Sequence, residues 1–88
     1  MQERGLTIKN PSGLHMRPAG VFAKAILPFK SDVRFEIRGN EYNARSMLGI
    51  LSAAVKRGDK IILRVSGDDE EACMAAVAVA VESGLGEL

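Results

Sequence analysis

Polar and apolar residues alternate most regularly at Val33, Phe35 and Ile37, which are separated by Arg34, Glu36 and Arg38. A period of two puts the three apolar side chains on one face of a strand. Gly39-Asn40 follows as a two-residue hairpin signal, with a return strand over residues 41–44. Leu6-Thr7-Ile8-Lys9 alternates in the same way and is broken by Asn10-Pro11-Ser12-Gly13. Over residues 16–27 the period changes, and Ala19, Phe22, Ala23, Ile26 and Leu27 fall on one helical face. Pro18 sits in the first turn of that helix, where a missing N–H costs nothing, and Pro28 ends it. Ser46 is a favoured N-cap for a second helix over residues 47–54. Gly58-Asp59 is a turn, and residues 60–65 form a strand rich in β-branched side chains. Gly67-Asp68-Asp69 opens a last helix to about residue 82 or 83, with Ala72, Cys73, Ala76, Val77 and Ala80 as its buried stripe. Asp69, Glu70 and Glu71 occupy its first turn, where the helix dipole favours negative charge, and Gly84 supplies its C-terminal cap. The order β-α-β-β-α-β-α predicts an α+β open-faced β-sandwich, a four-stranded antiparallel sheet with three helices on one face.

Composition narrows the function classes. The chain has 88 residues, enough for one domain over residues 1–88. A domain of this size buries only about 60–65% of its unfolded surface, so the core is thin and a deep substrate cavity is not expected. Net charge is +1 and the basic residues form no run, which argues against a nucleic-acid partner. The single cysteine, Cys73, cannot make an internal disulfide and points to a reducing compartment. The apolar stretch 74–81 is far short of the roughly 20 residues a membrane span needs. No apolar segment follows Met1-Gln2-Glu3-Arg4, so no signal peptide and no membrane insertion are expected. The expected location is cytoplasmic.

His15 is the only histidine, and it lies where the first strand gives way to the first helix, in Ser12-Gly13-Leu14-His15-Met16-Arg17-Pro18. A helix N-terminus offers free backbone N–H groups and partial positive charge to a phosphate. Two residues on, the planar guanidinium of Arg17 can grip phosphate oxygens through two hydrogen bonds. A neutral imidazole is a competent nucleophile for covalent group transfer, which then needs mainly positioning and charge stabilisation. His15 and Arg17 are therefore the candidate chemical residues, with Ser12, Met16, Arg17 and Pro18 as the phosphate-binding neighbourhood. A lone histidine in a small domain is more often a surface residue or a cap. It is the combination Gly-x-His-x-Arg-Pro at a helix start that shifts the balance.

These residues are also familiar as a set. Gly13-Leu14-His15-Met16-Arg17-Pro18-Ala19 resembles the active-site motif of HPr, the histidine phosphocarrier of the bacterial phosphotransferase system. Asn43-Ala44-Arg45-Ser46-Met47-Leu48-Gly49-Ile50-Leu51-Ser52 resembles that family's second motif, and Gly58-Asp59 and Gly67-Asp68-Asp69-Glu70 fit its later pattern. The match spans nearly the whole chain. It implies a carrier rather than an enzyme, with no cofactor. His15 would be phosphorylated on Nδ1 by Enzyme I at the expense of phosphoenolpyruvate, and would pass the group to a IIA protein or domain. Met16 stands where many members have alanine. Gly20 stands within the first helix where a side chain is usual, at roughly 0.5–1 kcal/mol relative to alanine.

Ser46 carries two readings. It is an N-cap, and in members of Gram-positive type the matching serine is also phosphorylated by a dedicated HPr kinase/phosphorylase; Gly49 and Ser52 fit that version of the motif. Met47, Leu48 and Leu51 crowd one short helix and cannot all enter the core beside Ile50 and Ala54, which leaves an apolar patch for a partner. Met16, Gly20 and Lys24 lie near the same docking face, and Lys24 would steer acidic partners. One histidine and one cysteine, the latter in a predicted buried stripe, make no standard zinc site. Two rivals remain: a regulatory branch of the same phosphotransferase chemistry, and an RNA-binding α+β module with an incidental histidine. The second is disfavoured because Phe35 and Tyr42 are the only aromatics in predicted strands.

Overall fold

A computed structural model describes residues 1–87 of the chain. Its elements are β1 (Gln2–Thr7), α1 (Met16–Ile26), β2 (Asp32–Ile37), β3 (Asn40–Asn43), α2 (Met47–Ser52), β4 (Lys60–Ser66) and α3 (Glu70–Glu82). The strands form one antiparallel sheet in the order β1-β4-β2-β3. Leu6 on β1, Val33, Phe35 and Ile37 on β2, and Ile61, Leu63 and Val65 on β4 are all buried. They share the face that the helices cover, so the expected open-faced sandwich is the fold.

Phe35 ties the layers together. Its ring meets Phe22 of α1 edge-on at 6.1 Å and stacks on Tyr42 of β3 at 5.5 Å. Such pairs contribute about 0.5–1.5 kcal/mol beyond their burial. Both strand aromatics therefore serve the core side. The opposite face carries charges of both signs: Arg64 pairs with Glu3 at 3.0 Å, Glu36 at 2.8 Å and Glu41 at 3.3 Å, and Arg34 with Asp32 at 2.9 Å. The aromatic stacking platform that an RNA-binding sheet uses is not what this face presents.

Several boundaries differ from the sequence pattern. β1 runs over Gln2–Thr7, not residues 6–9; its polar start is recruited by antiparallel pairing to β4, which begins opposite Val65. The hairpin turns on Arg38-Gly39, one residue earlier than expected, because Ile37 pairs with Asn40. Both turn residues have positive φ, 52° and 78°, as the hairpin turn that matches strand twist requires. Leu27 is 73% exposed. At about 100° per residue it falls at the margin of the stripe centred on Ala19, Phe22 and Ile26. α2 stops at Ser52, and Ala53 is buried while Ala54, at φ 51°, is exposed. On α3 the buried positions are Cys73, Met74, Val77, Ala78 and Val81, whereas Ala72 is exposed. Gly84, at φ 90°, ends α3 as expected: its N–H donates to the Val81 carbonyl at 3.1 Å, and that of Leu85 to Ala80 at 3.0 Å, the paired bonds of a Schellman cap.

Asp69 is the N-cap of α3, but its carboxylate turns to the α1–β2 loop. It accepts the backbone N–H of Lys30 at 2.8 Å and of Ser31 at 3.1 Å, and the Ser31 hydroxyl. The Ser31 hydroxyl, then the Lys30 amide, hold this carboxyl below the usual carboxylate range. A carboxyl whose pKa falls on folding stabilises the fold above its unfolded pKa, near 3.9, and loses that contribution as pH drops through the folded value. Thermal melts at pH 6 and pH 3 are expected to show a lower midpoint in acid, with a smaller acid loss in Asp69→Asn. An equal loss in both proteins would remove Asp69 from the account.

Gly20 lies mid-helix with open space where a Cβ would stand. Gly20→Ala is therefore expected to stabilise by about 0.5–1 kcal/mol, read as a rise of several degrees in Tm. A fall in Tm would mean that the position is crowded after all.

Candidate functional site

The loop before α1 is pinned from two sides. Gly13 donates to the Asn10 carbonyl at 3.2 Å, and Leu14 donates to the Val55 carbonyl at 3.0 Å. Leu14 itself is buried. The segment after α2 that receives it is held in turn by Arg38, whose guanidinium donates to the Ala53 carbonyl and pairs with Asp59 at 3.2 Å. Asp59 also accepts the Lys56 N–H at 2.9 Å. The hairpin, the post-α2 segment and the first loop thus form one chain of contacts that ends at the start of α1.

His15 stands at that end as the N-cap residue, with φ −74° and ψ 177°. Its carbonyl accepts the Ala19 N–H at 2.8 Å, yet its imidazole makes no capping bond. The side chain is exposed, so the ring is neither turned into the core nor committed to the helix. Because Pro18 has no N–H, the amides that open α1 and remain for an incoming anion are those of Met16 and Arg17. Arg17 is exposed as well and makes no ion pair among the described residues.

A surface depression of about 710 Å³ collects Ser12, Leu14, His15, Met16, Arg17, Pro18, Leu51, Ala54 and Glu87. It brings together Ser12, His15, Met16, Arg17 and Pro18, the residues singled out as a phosphate neighbourhood, and adds Leu51 from α2. Pro18 contributes a wall and no donor. Gly20 and Lys24 lie elsewhere, in a second shallow groove with Arg17, Val21, Ala23 and Leu27; Arg17 is common to both. Met47 and Leu48 line neither depression, but they are 37% and 78% exposed beside half-buried Leu51. With Met16 at 72% and Leu27 at 73%, they give the α1–α2 side several exposed apolar side chains. Ser46 caps α2 by accepting the Gly49 N–H at 3.1 Å, and is absent from the His15 depression.

Two residues of the site were missed in the sequence, Glu87 and Asn10. The Glu87 carboxylate accepts the Ser12 N–H at 3.0 Å, the Ser12 hydroxyl at 2.8 Å and the Asn10 side-chain amide at 2.8 Å. These bonds, Asn10 first, with Arg17 adding its charge, hold the Glu87 carboxyl below its ordinary value. Asn10 is fully buried and also donates to the Gly13 carbonyl at 2.8 Å. Glu87 lies 75 positions from Ser12, so no local pattern could join them. Asn10-Pro11-Ser12-Gly13 read only as a turn.

Comparison with known proteins points in one direction. The family model described as the PTS HPr component phosphorylation site matches residues 2–83. The phosphocarrier protein HPr of Xylella fastidiosa is 32% identical over 87 residues, covering 99% of this chain and 98% of that protein. The HPr-like protein Crh of Halalkalibacterium halodurans is 34% identical over 82 residues, covering 93% of this chain and 98% of that protein. Among solved structures, HPr-C-His from Thermoanaerobacter tengcongensis superposes with a TM-score of 0.96 at 39% identity, covering 100% of this chain and 99% of that one. A phosphocarrier protein HPr from Bacillus anthracis gives 0.86 at 31% identity, covering 91% of this chain and 95% of that one.

Proposed function

From a chain that belongs to the HPr family of phosphocarriers, we propose a relay role in which His15 takes a phosphoryl group from phosphorylated Enzyme I and yields it to a IIA protein or domain. The observation that carries this reading is the exposed, unbonded imidazole at the N-terminus of α1 with Arg17 in the same depression. In the step, the phosphorus–nitrogen bond of the donor breaks as a bond to the His15 imidazole forms, on Nδ1 by family resemblance. The N–H groups of Met16 and Arg17 and the Arg17 guanidinium meet the equatorial oxygens. No side chain need donate or accept a proton if the ring attacks as its neutral form, so positioning and charge make up the catalysis. The whole chain, residues 1–88, acts as a single domain. No described helix is long and apolar enough to cross a membrane, and cytoplasmic action fits that.

Docking follows from the same face. The exposed apolar side chains of Met16, Met47 and Leu48, with half-buried Leu51, supply area that a partner would desolvate, and the neighbouring groove with Gly20, Lys24 and Arg17 supplies positive charge toward acidic partners. Incubation with Enzyme I and phosphoenolpyruvate, read by intact mass, is expected to show one added phosphoryl group that acid removes. Absence of that adduct would overturn the relay.

Ser46 supports a second, regulatory reading less directly. Its cap to Gly49 is a structural role in its own right. Both motif neighbours also have local reasons for their identity: a Cβ on Gly49 would lie 2.9 Å from the Asn43 carbonyl oxygen, and Ser52 donates to the Gly49 carbonyl at 3.0 Å. A phosphate on Ser46 would keep an acceptor at the helix start and put negative charge on the docking side. HPr kinase/phosphorylase with ATP is expected to modify the chain, and Ser46→Ala is expected to resist it. The same variant should lose about 1 kcal/mol of stability through the missing cap. A modified Ser46→Ala would place the regulation elsewhere.

A further inference from the structure

The donors of Ser12 are already in use. Its N–H and its hydroxyl both point to the Glu87 carboxylate, at 3.0 Å and 2.8 Å, inside the depression that holds His15 and Arg17. The carboxylate is also seated from behind by Asn10, a fully buried side chain whose amide splits its donors between Glu87 and the Gly13 carbonyl. This is an occupied oxyanion subsite: three donors converge on one pair of carboxylate oxygens, with a guanidinium alongside. A carboxylate and a phosphoryl group ask for the same donors, and two anions a few ångströms apart in one depression repel.

We infer that Glu87 is the resting occupant of the phosphate subsite at Ser12, and that phosphate must displace its carboxylate to gain the Ser12 donors. Glu87 is then a positioning residue. It holds Ser12 and the loop before α1 in order while the site is empty, and it opposes the arriving phosphoryl group by charge. Among the described residues, the charged or titratable groups that share the depression with it are His15, the N-cap of α1, and Arg17 in its first turn; α2 and the segment after it contribute Leu51 and Ala54 there. This inference rests on the phosphocarrier reading for its biological meaning, but its physical content concerns any phosphate.

Inorganic phosphate is therefore the probe, titrated into the 15N-labelled full chain and followed at the Ser12 amide. Glu87→Gln keeps the shape and an acceptor for the Ser12 N–H while removing the charge; Glu87→Ala empties the subsite. Both variants are expected to half-saturate at roughly three- to tenfold lower phosphate than the parent, the scale of one nearby charge at a partly exposed site. The same half-saturation in all three proteins would overturn the inference. Should Glu87→Ala lose its fold, Glu87→Gln alone decides. A second readout separates a structural role from competition. In the parent, the Ser12 amide shift is expected to follow the titration of a carboxyl held below its ordinary range, and saturating phosphate is expected to return that titration toward the ordinary value. An unchanged titration would mean that the carboxylate stays seated. Failure of His15 to accept a phosphoryl group from Enzyme I would remove the relay, and the phosphate titration would still decide the role of Glu87.

Discussion

His15→Ala is expected to take up no phosphoryl group from Enzyme I under conditions that load the parent chain completely. Intact mass would show the parent gaining one group and the variant none. The prediction is all-or-none because the described depression holds no second nucleophile of comparable strength. Ser12 is the other hydroxyl or imidazole there, and its proton is directed to Glu87 at 2.8 Å. The only base that hydroxyl meets among the described residues is a carboxylate held below its ordinary value, which is too weak to make serine compete with an imidazole. Stability should barely change, by about 0.5 kcal/mol or less, since the exposed ring makes no capping bond that the variant would lose. Arg17→Ala is the graded companion. On the proposed relay, removing the guanidinium that would meet developing negative charge is expected to slow loading by about 10- to 100-fold, the rate equivalent of a lost charge-assisted bond worth roughly 1.5–3 kcal/mol. Its circular dichroism should be unchanged. An acid-labile phosphoryl group found on His15→Ala would place the acceptor elsewhere and leave His15 as a cap.

What could be read from the sequence follows physical range. The alternation of Val33, Phe35 and Ile37 marks a strand because a period of two has one structural meaning, and those side chains are buried. Ser46 reads as an N-cap because capping is settled within three residues, and its bond to Gly49 is present. The His15 neighbourhood is legible for the same reason: seven consecutive residues contain the turn, the imidazole, the guanidinium and the helix start. Errors arise where the deciding contact is distant or the local pattern is degenerate. Between Ala72 and Val81 nearly every residue of α3 is apolar, so the sequence leaves the buried face undetermined, and packing selects Met74, Ala78 and Val81 over Ala72. The hairpin shifts by one residue because register is set by Ile37 pairing with Asn40, and Arg38 accepts a left-handed φ. Glu87 is the clearest case. Its three bonds to Asn10 and Ser12 bridge opposite ends of the chain, and neither composition nor periodicity carries that information.

Gly13 is where fold and site depend on the same atom. Its φ of 64° lies in the left-handed region, which costs an alanine about 1 kcal/mol or more. Space is the larger problem. A Cβ there would press into the Val55 carbonyl oxygen and stand 2.8 Å from the Lys56 Cα. Both are backbone atoms, and backbone cannot rotate aside as a flexible side chain can. The Val55 carbonyl is moreover the acceptor for the Leu14 N–H at 3.0 Å, so relieving the clash stretches the bond that seats Leu14 in the core. Strain and overpacking together give an expected loss of roughly 2–4 kcal/mol for Gly13→Ala. For a domain of this size that is a fall in Tm of about 10–25 °C. Because such a loss endangers the fold itself, the variant is best made together with Gly20→Ala, whose expected gain comes from an independent, half-buried position on α1 with open space for a Cβ. That gain of about 0.5–1 kcal/mol offsets only part of the loss, so loading is measured well below the melting midpoint of the double variant, where the chain is folded and the effect on chemistry can be read separately. The loop that carries Ser12 and His15 is displaced from Val55, and transfer between folded proteins depends on the imidazole standing in line with the donor phosphorus. Loading of the folded double variant is therefore expected to be at least tenfold slower than that of Gly20→Ala alone. If Gly13→Ala melts within a degree or two of the parent and loads at the same rate, then the Val55 contact does not position His15, and the imidazole owes its place to α1 alone.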